Sequence, residues 1–445
     1  MAMRVTTGMA MSLYRYNLGN STVKFNSSMN KVMTHRKFDS FAEDPTSAVQ
    51  AWRVRRAMVD NNSYRNNNSD VTSRFNVAFA AMNTVTYDLV NKAAKKADIW
   101  AESDPTGGAR VQLGQTLTNT ADSVIQTMNS AKYSDHFVFS GTDEMNPPFL
   151  WDGETLYYRG VNVNAGGVKN PAEQPVPSWA LDDAGNEIPA DGTTMPDGMP
   201  TKSDDLYEQA WIDYYKDPTN AIKPTLSPND QGMAWGEADE FGVPEAVKNV
   251  TDQDTAYNRM WAEYYNDQGD LARLEKMSKE EQNVDLGMGL MKDENGNLVK
   301  GSAFNRALPA INMLGYGVDE NGDPNNVVLV MKRLGEIFSS CDYETGDFPS
   351  GEMEEEANRL MDKLKKCNDD CISVEAEIST KAEYLQANDE RMKLQAAYLE
   401  EDRYNLEEID PADAISTLMY DYYCYNAALK VGTQLLSQSL IDYMN

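Results

Sequence analysis

The sequence predicts a mainly α protein: long antiparallel coiled-coil-like helices from both chain ends, with a strand-containing middle domain, α+β or mainly β, inserted between them. Three observations carry that expectation. An apolar stripe runs at steps of three and four residues from Ala357 to Ile409. The two ends mirror each other, each with a short terminal helix, an Asp-Pro break and a long helix. Between Phe149 and about Asn325 the composition shifts to Gly, Pro, Asp, Trp and Tyr. The boundaries implied are 1–38 and 410–445 for a terminal coiled-coil domain, 39–145 and 326–409 for two halves of a helical core, and 146–325 for the insertion.

The Ala357 to Ile409 stripe is apolar at twelve of its sixteen positions, and steps of three and four hold one helix face toward one partner. Its exceptions, Lys381, Asn388, Gln395 and Asp402, recur every seven residues and predict shallower cover in the second half. Asp410-Pro411 then ends one helix and starts another, since aspartate suits the cap and proline the first turn. The last helix carries Ile415, Leu418, Tyr422, Tyr425, Leu429, Leu436 and Leu440 almost to the final residue. A terminus frays unless something ties it down, so this stripe predicts a partner.

The opening segment offers one. Met11, Leu18, Phe25 and Val32 recur at steps of seven, and between Val5 and Asn30 only Arg15 and Lys24 are charged. From Pro411 onward only Asp413, Asp421, Lys430 and Asp442 are charged. Helices this poor in charge suit burial, against each other and against neighbouring copies. The candidate subunit-interface residues are therefore Met11, Leu18, Phe25, Val32, Ile415, Leu418, Tyr422, Leu429, Leu436 and Leu440.

Asp44-Pro45 opens the first long helix, which reaches to about Trp100 with Val71, Phe75, Ala78, Met82, Val85 and Leu89 as its stripe. The run from Asp60 to Asp70, DNNSYRNNNSD, is its weak point, because Asn and Ser compete for backbone hydrogen bonds. Either packing overrides propensity there or the helix is interrupted. After Asp104-Pro105 and Gly107-Gly108, a helix with Leu113, Leu117, Ala121, Val124 and Met128 can fold back as a hairpin. Within the insertion, TLYYRGVNVN reads as strands between turn signals at Asp183 to Asn186, Asp293 to Asn297 and Asp319 to Asp323, the last two reading as hairpin turns rather than calcium loops. YEQAWIDYYKD (Tyr207 to Asp217) recurs as YNRMWAEYYND (Tyr257 to Asp267), with its rings at helical spacing, as two similar core helices would have. Val327, Val330, Leu334 and Ile337 resume the helical core.

Composition narrows the function classes. With 445 residues, 41% apolar and 25% charged, the chain can build two or three cores. A net charge of −30 argues against nucleic acid as a partner. No apolar run is long enough to span a membrane, and the first twenty residues lack the apolar region and cleavage site of a secretory signal. His35 and His136 are the only histidines, and there is no HExxH, GxSxG, GxxxxGK[ST] or GxGxxG. Cys367 and Cys371 are spaced to share a metal, but both lie on the apolar stripe, where buried cysteine is the commoner outcome. No catalytic, cofactor or metal site is expected, and the chain is read as a non-enzyme.

Met33 to Ala51 (MTHRKFDSFAEDPTSAVQA), FVFSGT followed by PPF, and the ending AALKVGTQLLSQSLIDYMN resemble the flagellin superfamily, within it the hook-associated proteins at the hook-filament junction. MRVTT at Met3 resembles the same N-terminus. The likeness covers roughly Met3 to Leu150 and Asn325 to Asn445; the family carries glycine where this chain has His35, and the insertion is longer than usual. The resemblance implies an extracellular structural protein of the bacterial flagellum, exported without a cleaved signal. It implies self-assembly through the terminal helices and an adaptor role between hook and filament. Its partners would be other copies, hook-side and filament-side proteins, and an export chaperone on the C-terminal helix. Two other readings stand beside it: a filament-forming flagellin, and a secreted enzyme or glycan-binding activity carried on the insertion.

Overall fold

The computed structural model describes residues 7–38, 40–102, 107–229, 231, 235–299 and 301–444, and their side chains except at 7, 98–102, 107 and 435–444. The fold is mainly helical. Helix α1 spans Thr7–Thr34 and α2 spans Pro45–Asn83. A wide π-helical turn, Thr84–Val90, joins α2 to α3 (Asn91–Glu102), so the first long helix changes its winding before it reaches Trp100. Next come α4 (Gly107–Ser130), β1 (Lys132–Tyr133), β2 (His136–Phe137), β3 (Phe149–Trp151), β4 (Leu156–Tyr158) and β5 (Val161–Asn162). The rest is α5 (Leu206–Lys216), α6 (Ala256–Ser278), β6 (Asn283–Val284), β7 (Phe304–Asn305), α7 (Ile311–Leu314), α8 (Val327–Ser339), α9 (Gly351–Glu407) and α10 (Pro411–Met444).

These elements form two compact units. One holds Met1–Ser69, Asp285–Leu290 and Gln386–Asn445; the other holds Asp70–Val284 and Met291–Leu385. The division falls inside α2 and α9, away from the composition changes near 146 and 325.

In the first unit, the start of α2 packs antiparallel on the end of α9. Helices α2 and α10 begin where an Asp-Pro pair puts them: Asp44 Oδ1 accepts from Ser47 N at 3.0 Å, and Asp410 Oδ1 caps α10 by accepting from Ala412 N at 2.8 Å. The Asn-rich run from 60 to 70 stays helical. Two of its asparagines turn inward while Asn62, Asn66 and Asn67 stay exposed: Asn61 Nδ2 donates to Met392 O at 3.2 Å, and the buried Asn68 accepts from buried Asn388 at 3.0 Å. Each is a hydrogen bond in an apolar seam whose loss would strand the remaining partner, and Asn61 Oδ1 is itself buried without one. Past Met392 the stripe thins as expected, with Leu399 and Leu406 only half-buried and Gln395 and Asp402 exposed.

In the second unit, Phe75, Ala78, Met82 and Val85 are buried, as are the stripes of α4, α8 and the first part of α9, from Ala357 to Ile378. Helices α4 and α8 touch backbone to backbone. A Cβ on Gly335 would lie 2.5 Å from Thr118 Oγ1 and 2.8 Å from Gly114 O, so only glycine fits. Buried Arg74 donates to Glu144 Oε1 at 2.8 Å and to Val138 O at 3.1 Å, which fastens the FVF segment to α2. Strands β3, β4 and β5 make an antiparallel meander. Arg159 and Gly160, both at positive φ, form its second turn, as a two-residue hairpin demands.

The repeated YxxxWxxYYxD segments are α5 and α6, packed on each other in one aromatic core, which makes the insertion α+β. Their rings meet alike: Trp211 lies 6.0 Å from Tyr214 and 6.2 Å from Tyr215, Trp261 5.8 Å from Tyr264 and 5.8 Å from Tyr265. Each helix is preceded by a tryptophan, Trp179 on Tyr215 and Trp235 on Tyr265, and by a tight Asp-x-x-Gly turn. Four such turns occur among the described residues, opened by Asp182, Asp239, Asp293 and Asp319. In each, the aspartate Oδ1 accepts from backbone N–H groups two and four residues on, and the glycine has φ of 82–84°. The sequence distinguishes the turns at Asp293 and Asp319 from calcium loops by glycine offset, and in all four the carboxylate accepts from backbone donors.

Two predictions follow from this packing. Replacing Gly335 by Ala forces α4 and α8 apart and lowers unfolding stability by roughly 1–3 kcal/mol, read from urea titration. Gly351→Ala, where an added Cβ meets nothing within 4 Å, leaves the midpoint essentially unmoved. The second concerns acid. Backbone N–H groups of Thr194 and Thr193 hold Asp191 down at about 2, against its ordinary 3.8. A depressed carboxylate contributes stability above its unfolded pKa and loses it as pH falls toward the folded one. The Asp191 contribution therefore disappears between about pH 4 and pH 2, and Asp191→Asn flattens that limb of an acid titration followed by tryptophan fluorescence.

Candidate assembly surface at the chain termini

Helices α1 and α10 pack on each other antiparallel. Four contacts set the register. Tyr14 crosses Gly432, where a Cβ would collide with the phenol. Phe25 stacks on Tyr425, with ring centroids 5.6 Å apart and planes 8° apart, and lies 5.9 Å from Tyr422. Ser28 Oγ, buried, donates to Asp421. At the open end, Arg36 and Glu408 form a bridge, with Lys37 N to Glu407 O at 2.7 Å and Ile409 N to His35 O at 3.1 Å.

The break after α1 turns on His35, whose φ of +57° lies in the left-handed region. That conformation costs an L-residue more than it costs glycine, so the break carries local strain at His35.

Among the described residues, pairing covers one face of each helix. Met11, Leu18, Phe25, Val32 and Leu418 are half-buried in the pair. Ile415 and Tyr422 remain 50% exposed and Leu429 38%. Leu436 and Leu440 lie on α10 among the side chains outside the described residues. The outer faces add Met9, Leu13, Tyr16, Val23 and Met33 from α1, and Met419, Tyr420, Tyr423 and Val431 from α10, all exposed. Large apolar side chains gathered on two adjacent helices, with so few charges among them, make a surface that water covers at a cost. The candidate positions were legible in the sequence as an apolar stripe and no more. Tyr14, Ser28, Asp421 and Gly432 were not, because a small residue or a lone hydroxyl in a polar stretch gives no periodic signal.

The chemistry-bearing residues elsewhere have other work. Cys367 and Cys371 lie buried in the α9 stripe, where burial pushes their thiols up to about 11 and about 12, so both stay protonated at neutral pH. Among the described residues, no cluster of three or more His, Cys, Asp or Glu could hold a metal, and no helix is long and apolar enough to cross a membrane.

Comparison with known proteins adds little. No family model matches the chain, and no curated protein matches it. Among solved structures, a Vibrio parahaemolyticus protein described as a proposed flagellar hook-associated protein aligns over 82% of this chain and 100% of its own. The identity is 10% and the TM-score 0.44. A likeness that loose fixes neither role nor detail.

Replacing His35 by Gly should relieve the left-handed strain and stabilise the first unit by roughly 0.5–1 kcal/mol. Amide exchange near the α1–α10 open end, at Lys37 and Ile409, should slow in the variant, whereas faster exchange would mean that the histidine ring itself holds the break.

Proposed function

We propose that this chain is a structural protein of the bacterial flagellum, an adaptor of the flagellar hook-associated protein 3 kind that joins hook to filament. The observation that carries the reading is the pair α1 and α10, poor in charge and still exposing a broad apolar surface after pairing. The motifs at both ends, which resemble the flagellin superfamily, agree with it.

In this reading, neighbouring copies bury the outer faces of α1 and α10, and the apolar area removed from water drives assembly at about 25 cal/mol per Å² before the cost of immobilisation. The long helices serve as stiff rods that carry load along the assembly. The role is structural rather than catalytic. The protein works outside the cell, exported without a cleaved signal, with an export chaperone holding the sticky C-terminal helix beforehand. Hook-side and filament-side proteins supply the two ends of the joint.

Deleting Ser416 to Asn445 should leave the second unit folded, as judged by its tryptophan fluorescence, and abolish assembly. Filaments growing normally on cells that carry only the truncated chain would overturn the proposal. Purified full-length protein polymerising by itself into long filaments would instead favour a filament subunit.

A further inference from the structure

The start of α2 and the end of α9 bury one face in each other, and each leaves a second stripe bare. On α2 it is Val49, Trp52, Arg56 and Val59, at steps of three, four and three, all exposed, with Trp52 at 55% and Val59 at 66%. On α9 it is Leu394, Tyr398 and Glu401, at steps of four and three, with Leu394 at 63% and Tyr398 at 67%. Steps of three and four mark a face suited to another helix. Among the described residues, nothing in this chain covers either one.

Charge says what does. Residues 45–59 hold Arg53, Arg55 and Arg56 and no carboxylate, in a chain of net charge −30. Residues 394–410 hold six carboxylates and one arginine. Arg55 is answered within the chain by Glu407 at 2.6 Å, and Glu400 by Arg403 at 2.6 Å. Arg53 and Arg56, and Glu401 and Asp402, have no ion pair among the described residues; Arg56 lies only over Trp52, 5.8 Å from its ring centroid. Beside Trp52 opens a cavity of about 160 Å³ lined by Phe38, Phe41, Ala48, Trp52 and Arg55. That is room for one aromatic ring, and the acidic stripe carries Tyr398.

We propose that the basic stripe of α2 docks on the acidic stripe of α9 in a second copy of this chain, with Arg56 facing Glu401 and Tyr398 entering the cavity beside Trp52. The contact is heterologous, so each copy has one stripe engaged on either side and the array propagates laterally. It rests on the self-assembly proposed above and adds a second interface, one that salt weakens, whereas the apolar contact between terminal helices strengthens in salting-out conditions.

The test uses the full chain with a photo-reactive benzoylphenylalanine at position 52, in mixtures of isotopically light and heavy copies. Irradiation of the assembled protein should join position 52 to a peptide within 391–405 of the other copy, identified by mass. Arg56→Glu should cut the yield of that cross-link about tenfold. Combining it with Glu401→Lys should restore most of the yield, which a merely misfolded variant would not do. Cross-links confined to the same copy, cross-links to another segment, or loss in the single variant without recovery in the double would each overturn the docking. If the protein assembles while any of these holds, only this contact falls. If the full chain stays monomeric at every concentration, the self-assembly reading falls with it.

Discussion

The pairing of α1 with α10 is the constraint on which the rest depends. Because the first helix must find the last, the chain cannot close until everything between has been made, and the insertion can grow without disturbing either end. The seam is sparse: a stacked ring pair at Phe25 and Tyr425, a tyrosine laid over Gly432, and one buried hydroxyl given to Asp421. Such a seam holds two helices in register yet leaves many of their large apolar side chains exposed. Among the described residues nothing else in the chain covers that excess, which is the surface the proposed assembly would bury.

Polar groups inside the long helices do a different job from the apolar ones. Asn68 and Asn388 satisfy each other within an apolar seam, and Arg74 spends its charge on Glu144 and its hydrogen bonds on the FVF segment. Leu or Met at such places would pack as well, but a slipped register would strand these groups unpaired, so they penalise alternatives more than they stabilise the observed alignment. Gly114 and Gly335 act to the same end by size, because only one alignment of α4 on α8 brings the two bare backbones together.

The inserted lobe follows its own logic. Its core is two copies of one design, a tight aspartate turn followed by a helix with a Trp and a pair of Tyr on one face, and the copies pack ring against ring. Aromatic side chains bury large areas with few rotamers to freeze, so a small lobe with little sheet can still hold together.

The sequence by itself determined where helices begin and which face each buries, because steps of three and four and the Asp-Pro pairs are local signals that act through the chain's own geometry. The repeat between Tyr207 and Asp267 was equally plain. Tertiary structure alone decided the rest. It kept the Asn-rich run helical, since Asn61 and Asn68 found acceptors and donors more than 300 residues away. It widened the helix at Thr84–Val90, and it put His35 into a conformation its side chain disfavours. It also settled that Ile415 and Tyr422 are half uncovered in the single copy, for an apolar residue at a helical position reads the same in sequence whether its partner lies within the chain or beyond it.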